Sequence, residues 1–303
     1  MKEKVIRSPF FYVGDKYKLM GQLRELFPDN ILTYIEPFAG GGSSFLNTSA
    51  KKYIVNDIDY YVIALHQCLS SYAGRQEEFL DELYTLIDKY GLSCSYRNIT
   101  VPDELKKKYV KTYYSHFNKE AYTKMKADFN EKEDLMLLYL LLIYGFNHMI
   151  RFNGSGKFNL PVGNVDFNKN VYNAICQYLS FMESSDITFV NKDFMEFLNE
   201  LEYDEESYIY LDPPYLISGS EYNKYWNEEE EQRLCAYLDD LDQRGIRFGI
   251  TNLINHKGKV NQTFLEWSKK YIVYNIDSNY ISFNDNTIKA DSKEVFVTNY
   301  GRK

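Results

Sequence analysis

The stretch YIEPFAGGGSSF, residues 34–45, decides the fold of this chain. It predicts a strand, a turn of three consecutive glycines and then the start of a helix, with Ser43 or Ser44 as its cap. In open α/β sheets such a turn comes after a strand at its carboxyl end, where ligands bind, and glycine lets the backbone approach the ligand closely. We therefore expect the turn at residues 40–42 to lie at a ligand site.

The residues in and after the glycine turn narrow the type of ligand. The dinucleotide fingerprint GxGxxG needs a glycine at position 45, where Phe45 stands, and no Gly-Lys-Ser/Thr is present after the turn to form a P-loop. Asp57 closes the next strand-like run, 17 residues after Gly40, where a carboxylate can bind both hydroxyls of a ribose. An isolated glycine triplet is equally compatible with a tight turn. The acid after the second strand shifts the balance toward a nucleoside-type cofactor.

Strand-like and helix-like segments alternate along most of the chain, which predicts an α/β fold with a mostly parallel sheet and helices on both faces. The candidate strands are residues 33–38, 52–58, 186–194, 207–215, 247–253, 271–276 and 294–300. The candidate helices between them are residues 16–27, 61–69, 171–182 and 228–241.

The alternation breaks between residues 70 and 170, where the pattern is helical and polar and ends in the loop-like NGSGKFNLPVGN. We expect residues 70–170 to be an inserted, mostly helical subdomain, and residues 1–69 and 171–303 to form the main domain. The apolar run LMLLYLLLIYGF, residues 135–146, is too short to cross a bilayer and is expected to be a buried helix.

Composition is that of a soluble globular protein, with 45% apolar and 26% charged residues. The N-terminus lacks a signal-peptide core, so a cytoplasmic location is expected. The four cysteines are scattered without metal-ligand spacing, which predicts free thiols and no metal site. The net charge of −8 counts against a polyanionic partner. However, residues 70–170 hold 14 basic and 13 acidic side chains, a net charge of +1, so the other 202 residues carry −9.

The loop LDPPYL, residues 211–216, places Asp212, two prolines and Tyr215 directly after an apolar run. The prolines remove two backbone donors and leave their carbonyls free to accept. An amino group on a flat ring could donate to the Asp212 carboxylate and to the Pro213 carbonyl while Tyr215 stacks on the ring. A proline turn with a hydrogen-bonded Asp is about as compatible with this tetrapeptide alone. Its position opposite a nucleoside-type turn favours a base amino group as the ligand.

A base inside a duplex must be flipped out before such a loop can reach it. Acceptors on the amino group would stabilise the positive charge that grows on nitrogen during attack on an electrophile, which is electrostatic rather than acid-base catalysis.

The chain resembles the Dam-like, alpha-group N6-adenine DNA methyltransferases in three motifs. These are FAGGG, a second strand that ends NDID, and a later LDPPY. The motif order, with cofactor motifs first, a recognition insertion next and the catalytic loop last, is similar as well. The resemblance implies a Rossmann-like methyltransferase sheet of about seven strands, with S-adenosylmethionine as methyl donor. It also implies direct transfer to N6 of a flipped adenine in a short double-stranded DNA site. Asp at the first loop position favours adenine over cytosine-N4.

The resemblance assigns roles residue by residue. FFYVGDKYKL, residues 10–19, resembles the family's N-terminal motif, although Gly14-Asp15 stands where the family commonly has two glycines. The implied catalytic residues are Asp212, Pro213, Pro214 and Tyr215. The implied cofactor contacts are Tyr12, Lys16, Phe38, Gly40, Gly42, Asp57, Asp193 and Asp212.

YGFNHMIRFNGSGKFNLPVG, residues 144–163, is similar to the family's recognition signature. Arg can fork to a guanine edge, Asn can pair with an adenine edge, and Lys beside glycines suits a phosphate. The candidate DNA-binding residues are Asn147, Arg151, Asn153, Lys157 and Asn159. We expect His148 to pack or cap rather than to catalyse, and the basic run at residues 106–108 to be an exposed helix face.

The resulting hypothesis is an adenine-specific DNA methyltransferase that acts as a monomer, with a dimer as the alternative. It is expected in a bacterial or phage-encoded setting, such as restriction-modification, with GATC as one candidate site. Cytosine-N4 or RNA adenine methylation, a catalytically silent DNA-binding relative and a nicotinamide oxidoreductase stay open as alternatives, the last disfavoured by Phe45.

Overall fold

The computed structural model describes residues 4–218, 226–278 and 292–301. The chain divides into two compact units. The helical unit comprises Met1–Tyr17, Gly40–Leu46 and Asp59–Ser185, and the sheet unit comprises Lys18–Ala39, Asn47–Ile58 and Asp186–Lys303. Each unit is assembled from segments that are distant in sequence.

Strands and α-helices account for most of the described residues. The strands are β1 (Thr33–Glu36), β2 (Lys52–Asn56), β3 (Asp186–Val190), β4 (Ser207–Leu211), β5 (Arg247–His256), β6 (Lys259–Val260), β7 (Ile272–Ile276) and β8 (Lys293–Thr298). The helices are α1 (Met20–Leu23), α2 (Tyr60–Ser70), α3 (Gln76–Tyr90), α4 (Asp103–Lys108), α5 (Tyr113–Lys132), α6 (Leu135–Tyr144), α7 (Lys169–Glu183), α8 (Phe194–Asn199), α9 (Glu228–Gln243) and α10 (Gln262–Ser268).

The strands form one sheet in the order β3-β2-β1-β4-β5-β8-β7, with β6 paired to β5 as a short hairpin partner. Strands β1 to β5 run parallel, and β8 runs antiparallel between β5 and β7. The chain passes from β1 outward to β2 on one side and from β4 outward to β5 on the other. The strand order therefore reverses between the neighbours β1 and β4, and this is the switch point where open α/β sheets bind ligands.

Successive side chains of a strand point to opposite faces of the sheet. The two faces differ here in the residue types that they carry. One face is mainly aliphatic, with residues such as Ile35, Ile209 and Val297 packed in one core with buried residues of α8, α9 and α10. The other face is mainly aromatic, and Phe27, which lies just after α1, packs on the rings of Tyr208 and Tyr210 at 5.2 and 5.0 Å between centroids. Burial on both faces explains why the central strands are nearly continuous apolar runs.

The helical unit is organised around α6, which packs against α2, α3 and α5. All of its residues from Met136 to Tyr144 are buried, and Asp134 caps its first turn by accepting from the backbone of Met136 and Leu137. A helix that is apolar all round is stable only at the centre of such a bundle. The buried helix expected over residues 135–146 is confirmed.

The α/β fold class is confirmed, since a parallel-dominated sheet flanked by helices is present. All seven expected strands form, and β6 is additional. One prediction is wrong: the turn after β1 leads into a three-residue 3-10 helix, Phe45–Asn47, and not into an α-helix. Both Phe45 and Leu46 are buried there, and the chain then turns directly into β2.

Two other element boundaries differ from the sequence-based expectation. The helix expected over residues 16–27 is reduced to α1, and the strand expected over residues 186–194 ends at Val190, because Asp193 caps the new helix α8.

All four cysteines are free thiols, as expected. Within the described ranges, no helix combines the length and the apolar character needed to cross a membrane.

Candidate functional site

The carboxyl ends of four parallel neighbours carry the predicted site residues of the sheet unit. Phe38 lies after β1, Asp57 after β2, Asp193 after β3 and Asp212 after β4. Because β3, β2, β1 and β4 are parallel neighbours in that order, these residues lie along one edge of the sheet. The edge is therefore lined by carboxylates and one aromatic ring at the switch point.

Asn56, which the sequence did not single out, ties three of these strand ends together. Its side chain is fully buried and its Nδ2 donates to the carbonyls of Pro37 and Lys192, both at 3.0 Å. Its Oδ1 accepts from the backbone N–H of Lys192 at 2.9 Å. The residues directly after Pro37, Asn56 and Lys192 are Phe38, Asp57 and Asp193. One side chain therefore fixes the backbone beside three predicted cofactor contacts.

Asp193 also serves as the cap of α8, where its Oδ1 accepts from the N–H groups of Met195 at 2.9 Å and Glu196 at 3.4 Å. Phe38 packs on Phe194, the first residue of α8, at 5.2 Å between centroids and on Trp226 at 5.6 Å. A half-buried carboxylate and a half-buried aromatic ring thus stand near one another on a rigid support.

Asp212 is held on one oxygen by two hydroxyl groups. The Thr251 hydroxyl of β5 donates to Asp212 Oδ1 at 2.9 Å, and the Tyr215 hydroxyl donates to the same atom at 3.0 Å. The Tyr215 hydroxyl also lies 2.8 Å from Oε1 of Glu294 in β8. Pro213 is buried and Pro214 is half-buried. The orientation of the Asp212 carboxylate is therefore set by residues of β5, of β8 and of the loop after β4.

The environment of Asp212 contains several negative groups. Burial first, and then the negative charge of Asp212, raise the pKa of Tyr210 well above its ordinary value, and Glu36 and Glu294 act in the same direction. Tyr210 therefore stays neutral and shares a hydrogen bond with Thr251, with 3.1 Å between the two hydroxyl oxygens. Tyr215 itself is only 7% exposed. Its predicted stacking on a base stays a prediction, while its hydroxyl has a defined role in holding Asp212.

The glycine turn belongs to the helical unit and is closely packed there. A Cβ at Gly41 would lie 2.7 Å from the Tyr12 Cβ, and the Ser8 hydroxyl donates to the Gly41 carbonyl. Gly42 has φ +79°, and a Cβ there would lie 2.5 Å from the ring of Phe45. Glycine is required at these positions by close approach and by backbone conformation. Tyr12 is thereby brought against the turn, as a cofactor contact would require.

His66 of α2 supports the same turn. Its ring is fully buried, with Nε2 2.9 Å from the Gly40 carbonyl and Nδ1 2.9 Å from the Tyr178 hydroxyl of α7. Because the carbonyl can only accept, Nε2 carries the proton and Nδ1 accepts from Tyr178. Burial lowers the pKa of His66 from 6.5 to about 4, against the opposing effect of the Gly40 carbonyl. The neutral imidazole therefore holds Gly40 in place, and no motif in the sequence indicated this.

Lys16, the other predicted contact of the N-terminal segment, is 7% exposed. Asp15, which stands where the family commonly has glycine, forms an ion pair with Arg7 at 3.6 Å. The Arg7 guanidinium also lies 4.5 Å from the ring centroid of Tyr17. The departure from the family motif is thus accommodated by a local charge partner.

The predicted recognition segment contains a short hairpin in which Phe152 and Phe158 form an antiparallel bridge. The Arg151 Nε donates to Asn159 Oδ1 at 2.9 Å, and a terminal guanidinium nitrogen donates to the Asn159 carbonyl at 3.1 Å. Asn153 Oδ1 accepts from the N–H groups of Ser155 and Lys157 across the turn. Arg151 is therefore oriented by Asn159, whereas Asn153 shapes the turn.

The remaining recognition candidates are more exposed. Asn147 is exposed and has φ +54°, and Lys157 is exposed with its Nζ 2.7 Å from the Asn130 carbonyl. His148 bonds the Leu142 carbonyl through Nδ1 at 3.1 Å and packs its ring on Phe11, which confirms the expectation that it packs or caps. Burial lowers the pKa of His148 as well. The basic run of residues 106–108 forms the last turn of α4, with Lys107 and Lys108 exposed, as expected.

A parallel sheet with acids after β2, β3 and β4 and an aromatic ring after β1 is typical of α/β proteins that bind nucleoside cofactors at the switch point. Residues 12–281 match the model of the D12 class N6 adenine-specific DNA methyltransferases. The chain belongs to this family.

The similar proteins bear related names. The chain is 32% identical over 303 residues to the type II methyltransferase M.FokI of Planomicrobium okeanokoites, which covers 97% of this chain and 43% of M.FokI. It is 33% identical over 311 residues to modification methylase StsI of Streptococcus sanguinis, and the match covers 99% of this chain and 44% of StsI. Over 274 residues it is 25% identical to the DNA adenine methylase of Escherichia coli K12, and the match covers 86% of this chain and 85% of that protein. The chain thus spans less than half the length of M.FokI and StsI.

Proposed function

We propose that this chain transfers a methyl group from S-adenosylmethionine to N6 of an adenine in double-stranded DNA. The observation that carries the proposal is the placement of Asp212 at the switch point, with Oδ1 held by Thr251 and Tyr215 in a chain of an adenine-specific family. A fixed carboxylate next to the buried Pro213 suits the recognition of an amino group rather than acid-base chemistry.

In the proposed reaction the target adenine is flipped out of the duplex, and its amino group donates to the Asp212 carboxylate and to the Pro213 carbonyl. The amino nitrogen attacks the methyl carbon, the bond between that carbon and sulfur breaks, and the extra proton on nitrogen is lost to solvent. Asp212 acts as a hydrogen-bond acceptor that stabilises the growing positive charge. Tyr215 is proposed to stack on the base with its ring, and Pro214 to keep the loop rigid.

S-adenosylmethionine supplies the methyl group when bound, and the residues present fit it within each unit. In the sheet unit we assign Phe38, Asp57, Asp193 and Asp212 to its binding, since they lie along one edge of the sheet. In the helical unit we assign it Tyr12, Lys16, Gly40 and Gly42, where the backbone of the turn is free of any Cβ. Carboxylates suit the ribose hydroxyls and amino groups of such a molecule, and Phe38 suits its adenine ring.

For DNA recognition we assign Arg151 and Asn147 to base edges and Lys157 to a phosphate, with Asn153 and Asn159 beside them. Arg151 is the strongest candidate because Asn159 presents its guanidinium in a fixed orientation. We further propose that residues 70–170 act as the recognition insertion, that residues 1–69 and 171–303 act as the catalytic domain, and that the chain acts as a monomer in the cytoplasm.

The test uses the 303-residue chain, labelled S-adenosylmethionine and DNA from a host without adenine methylation. Label is expected in DNA, and mass spectrometry of the nucleosides is expected to give N6-methyladenine. Asp212→Ala is expected to lose the activity, while the matched control Asp29→Ala, at an exposed carboxylate, keeps it. Equal labelling of DNA by wild type and Asp212→Ala would refute the proposal. Label on cytosine N4, or only in an RNA sample run in parallel, would favour the rival methyltransferases.

Mapping the modified adenines in that DNA identifies the target site, and GATC is one candidate. The names of M.FokI and StsI, a type II methyltransferase and a modification methylase, favour a role in restriction-modification. A catalytically silent DNA-binding relative would bind DNA in the same experiment without transferring label.

A further inference from the structure

Glu294 is the second residue of β8 and lies 79 residues after Tyr215 in the sequence. It is paired in register with Leu253 of β5, and its side chain is 1% exposed. Burial of a carboxylate is costly unless strong hydrogen bonds compensate. One such bond comes from the Tyr215 hydroxyl at 2.8 Å, across 79 residues of sequence.

The Tyr215 hydroxyl lies between two carboxylates. It is 2.8 Å from Glu294 Oε1 and 3.0 Å from Asp212 Oδ1, and its single proton is shared between these two acceptors as a bifurcated hydrogen bond. Its position is therefore determined from the Glu294 side as well as from the Asp212 side. Any displacement of Glu294 moves the hydroxyl that orients Asp212.

The other hydroxyl on Asp212 Oδ1 belongs to Thr251, which is itself held by Tyr210. Thr251 and Tyr210 lie on β5 and β4, so this side of the carboxylate is fixed by the central strands. Tyr215 lies in the loop beyond β4 and gains its support from β8 through Glu294. The two hydroxyls on Asp212 Oδ1 therefore have different hydrogen-bond partners behind them, Tyr210 for Thr251 and Glu294 for Tyr215.

We infer that Glu294 is a positioning residue for methyl transfer, which acts by fixing the Tyr215 hydroxyl and, through it, the orientation of the Asp212 carboxylate. The inference rests on the proposed role of Asp212. Glu294 touches neither the base nor the cofactor in this role, so it should influence the rate of the transfer step more than substrate binding. A sub-ångström displacement of a reacting group is enough to slow a reaction markedly.

The test is a double-mutant cycle on the 303-residue chain, with kcat and KM measured for DNA and for S-adenosylmethionine. Glu294→Gln keeps the side-chain shape but replaces the carboxylate by an amide, and Tyr215→Phe removes the shared hydroxyl. Each single variant is expected to lower kcat about tenfold, with both KM values within about twofold of wild type. The double variant is expected to match the slower single variant, because Glu294→Gln weakens, and Tyr215→Phe removes, the same connection through the Tyr215 hydroxyl.

The control for loss of a buried carboxylate is Glu231→Gln in α9. Glu231 is also 1% exposed and accepts from the side chains of Trp226, Asn252 and Asn261. Its replacement is expected to lower the melting temperature while kcat per folded molecule stays within about twofold of wild type. Circular dichroism of each variant gives the folded fraction.

Three results would overturn the inference: multiplicative effects of Glu294→Gln and Tyr215→Phe, an unchanged kcat in folded Glu294→Gln, or an equal loss of kcat in Glu231→Gln. If Glu294→Gln does not fold, an unchanged kcat in folded Tyr215→Phe overturns it as well. Asp212→Ala is included in the same assay. Equal rates for wild type and Asp212→Ala refute the proposed function, whereas a dead Asp212→Ala beside a normal Glu294→Gln refutes the positioning role alone.

Discussion

Replacement of His66 by Gln is expected to change the pH dependence of stability in a way that the structure specifies. His66 is fully buried and neutral, with Nε2 donating to the Gly40 carbonyl and Nδ1 accepting from Tyr178, both at 2.9 Å. Gln lacks the rigid spacing of the two ring nitrogens and cannot satisfy both partners in the same positions. At pH 8 the variant is therefore expected to be less stable by about 1–3 kcal/mol.

Below pH 7, the loss of folding stability caused by His66 depends on the pKa of its ring, which burial lowers from 6.5 to about 4. Between these values the unfolded chain binds a proton at this site and the folded chain does not. The contribution of the neutral His66 to stability is therefore fully present above pH 6.5. It is lost as the pH falls toward 4, at about 1.4 kcal/mol per pH unit. At pH 5 the loss due to His66 amounts to about 2 kcal/mol.

Gln does not titrate, so the variant lacks this loss while all other titrating groups are shared with wild type. The stability difference between wild type and His66→Gln is expected to shrink by about 2 kcal/mol between pH 8 and pH 5. Urea unfolding monitored by circular dichroism at both pH values measures it. Tyr178→Phe is the control, because it removes the same hydrogen bond to Nδ1 but keeps the titrating imidazole. A wild-type minus Gln difference that stays constant across this pH range would refute the reasoning.

Two further predictions concern the glycine turn and the recognition hairpin. Gly42→Ala is expected to destabilise the fold by about 2–4 kcal/mol, since φ is +79° and the new Cβ would lie 2.5 Å from the Phe45 ring; thermal denaturation measures this, with Gly154→Ala in open space as the control. Arg151→Ala is expected to weaken specific DNA binding by about 1–3 kcal/mol in fluorescence anisotropy, and Asn159→Ala by less, because the Asn159 carbonyl bond to the guanidinium at 3.1 Å survives. Wild-type affinity in Arg151→Ala would contradict its assignment to a base edge.

Much of the fold could be predicted because its signals are local. A strand is indicated by a short apolar run bounded by turn residues, and all seven expected strands formed. The α-helix expected after the glycine turn is not formed: this segment has a 3-10 helix, Phe45–Asn47, whose first two side chains are buried by contacts that the local sequence does not record. The cap by Asp193 that ends the β3 segment and starts α8 was also missed, because NKDF is equally compatible with the end of a strand.

The candidate site divides in the same way. Asp212, Pro213, Tyr215 and the glycines of residues 40–42 stand in contiguous motifs, so their chemistry could be inferred from neighbouring residues. By itself, the sequence determined the family resemblance, and it predicted a nucleoside-type turn and an acceptor loop for an amino group. These depend on residue type and short spacing, which the linear chain records directly.

Only the tertiary structure decided which distant residues support those motifs. His66 reaches the Gly40 carbonyl across 26 residues, Asn56 reaches Lys192 across 136, and Glu294 reaches Tyr215 across 79. The order β3-β2-β1-β4-β5-β8-β7 brings β8 and β4 to the same strand, β5, and no local pattern encodes this order. Strand pairing and burial depend on the packing of the whole chain, so a buried His, Asn or Glu acquires its hydrogen-bond partner only when the chain has folded.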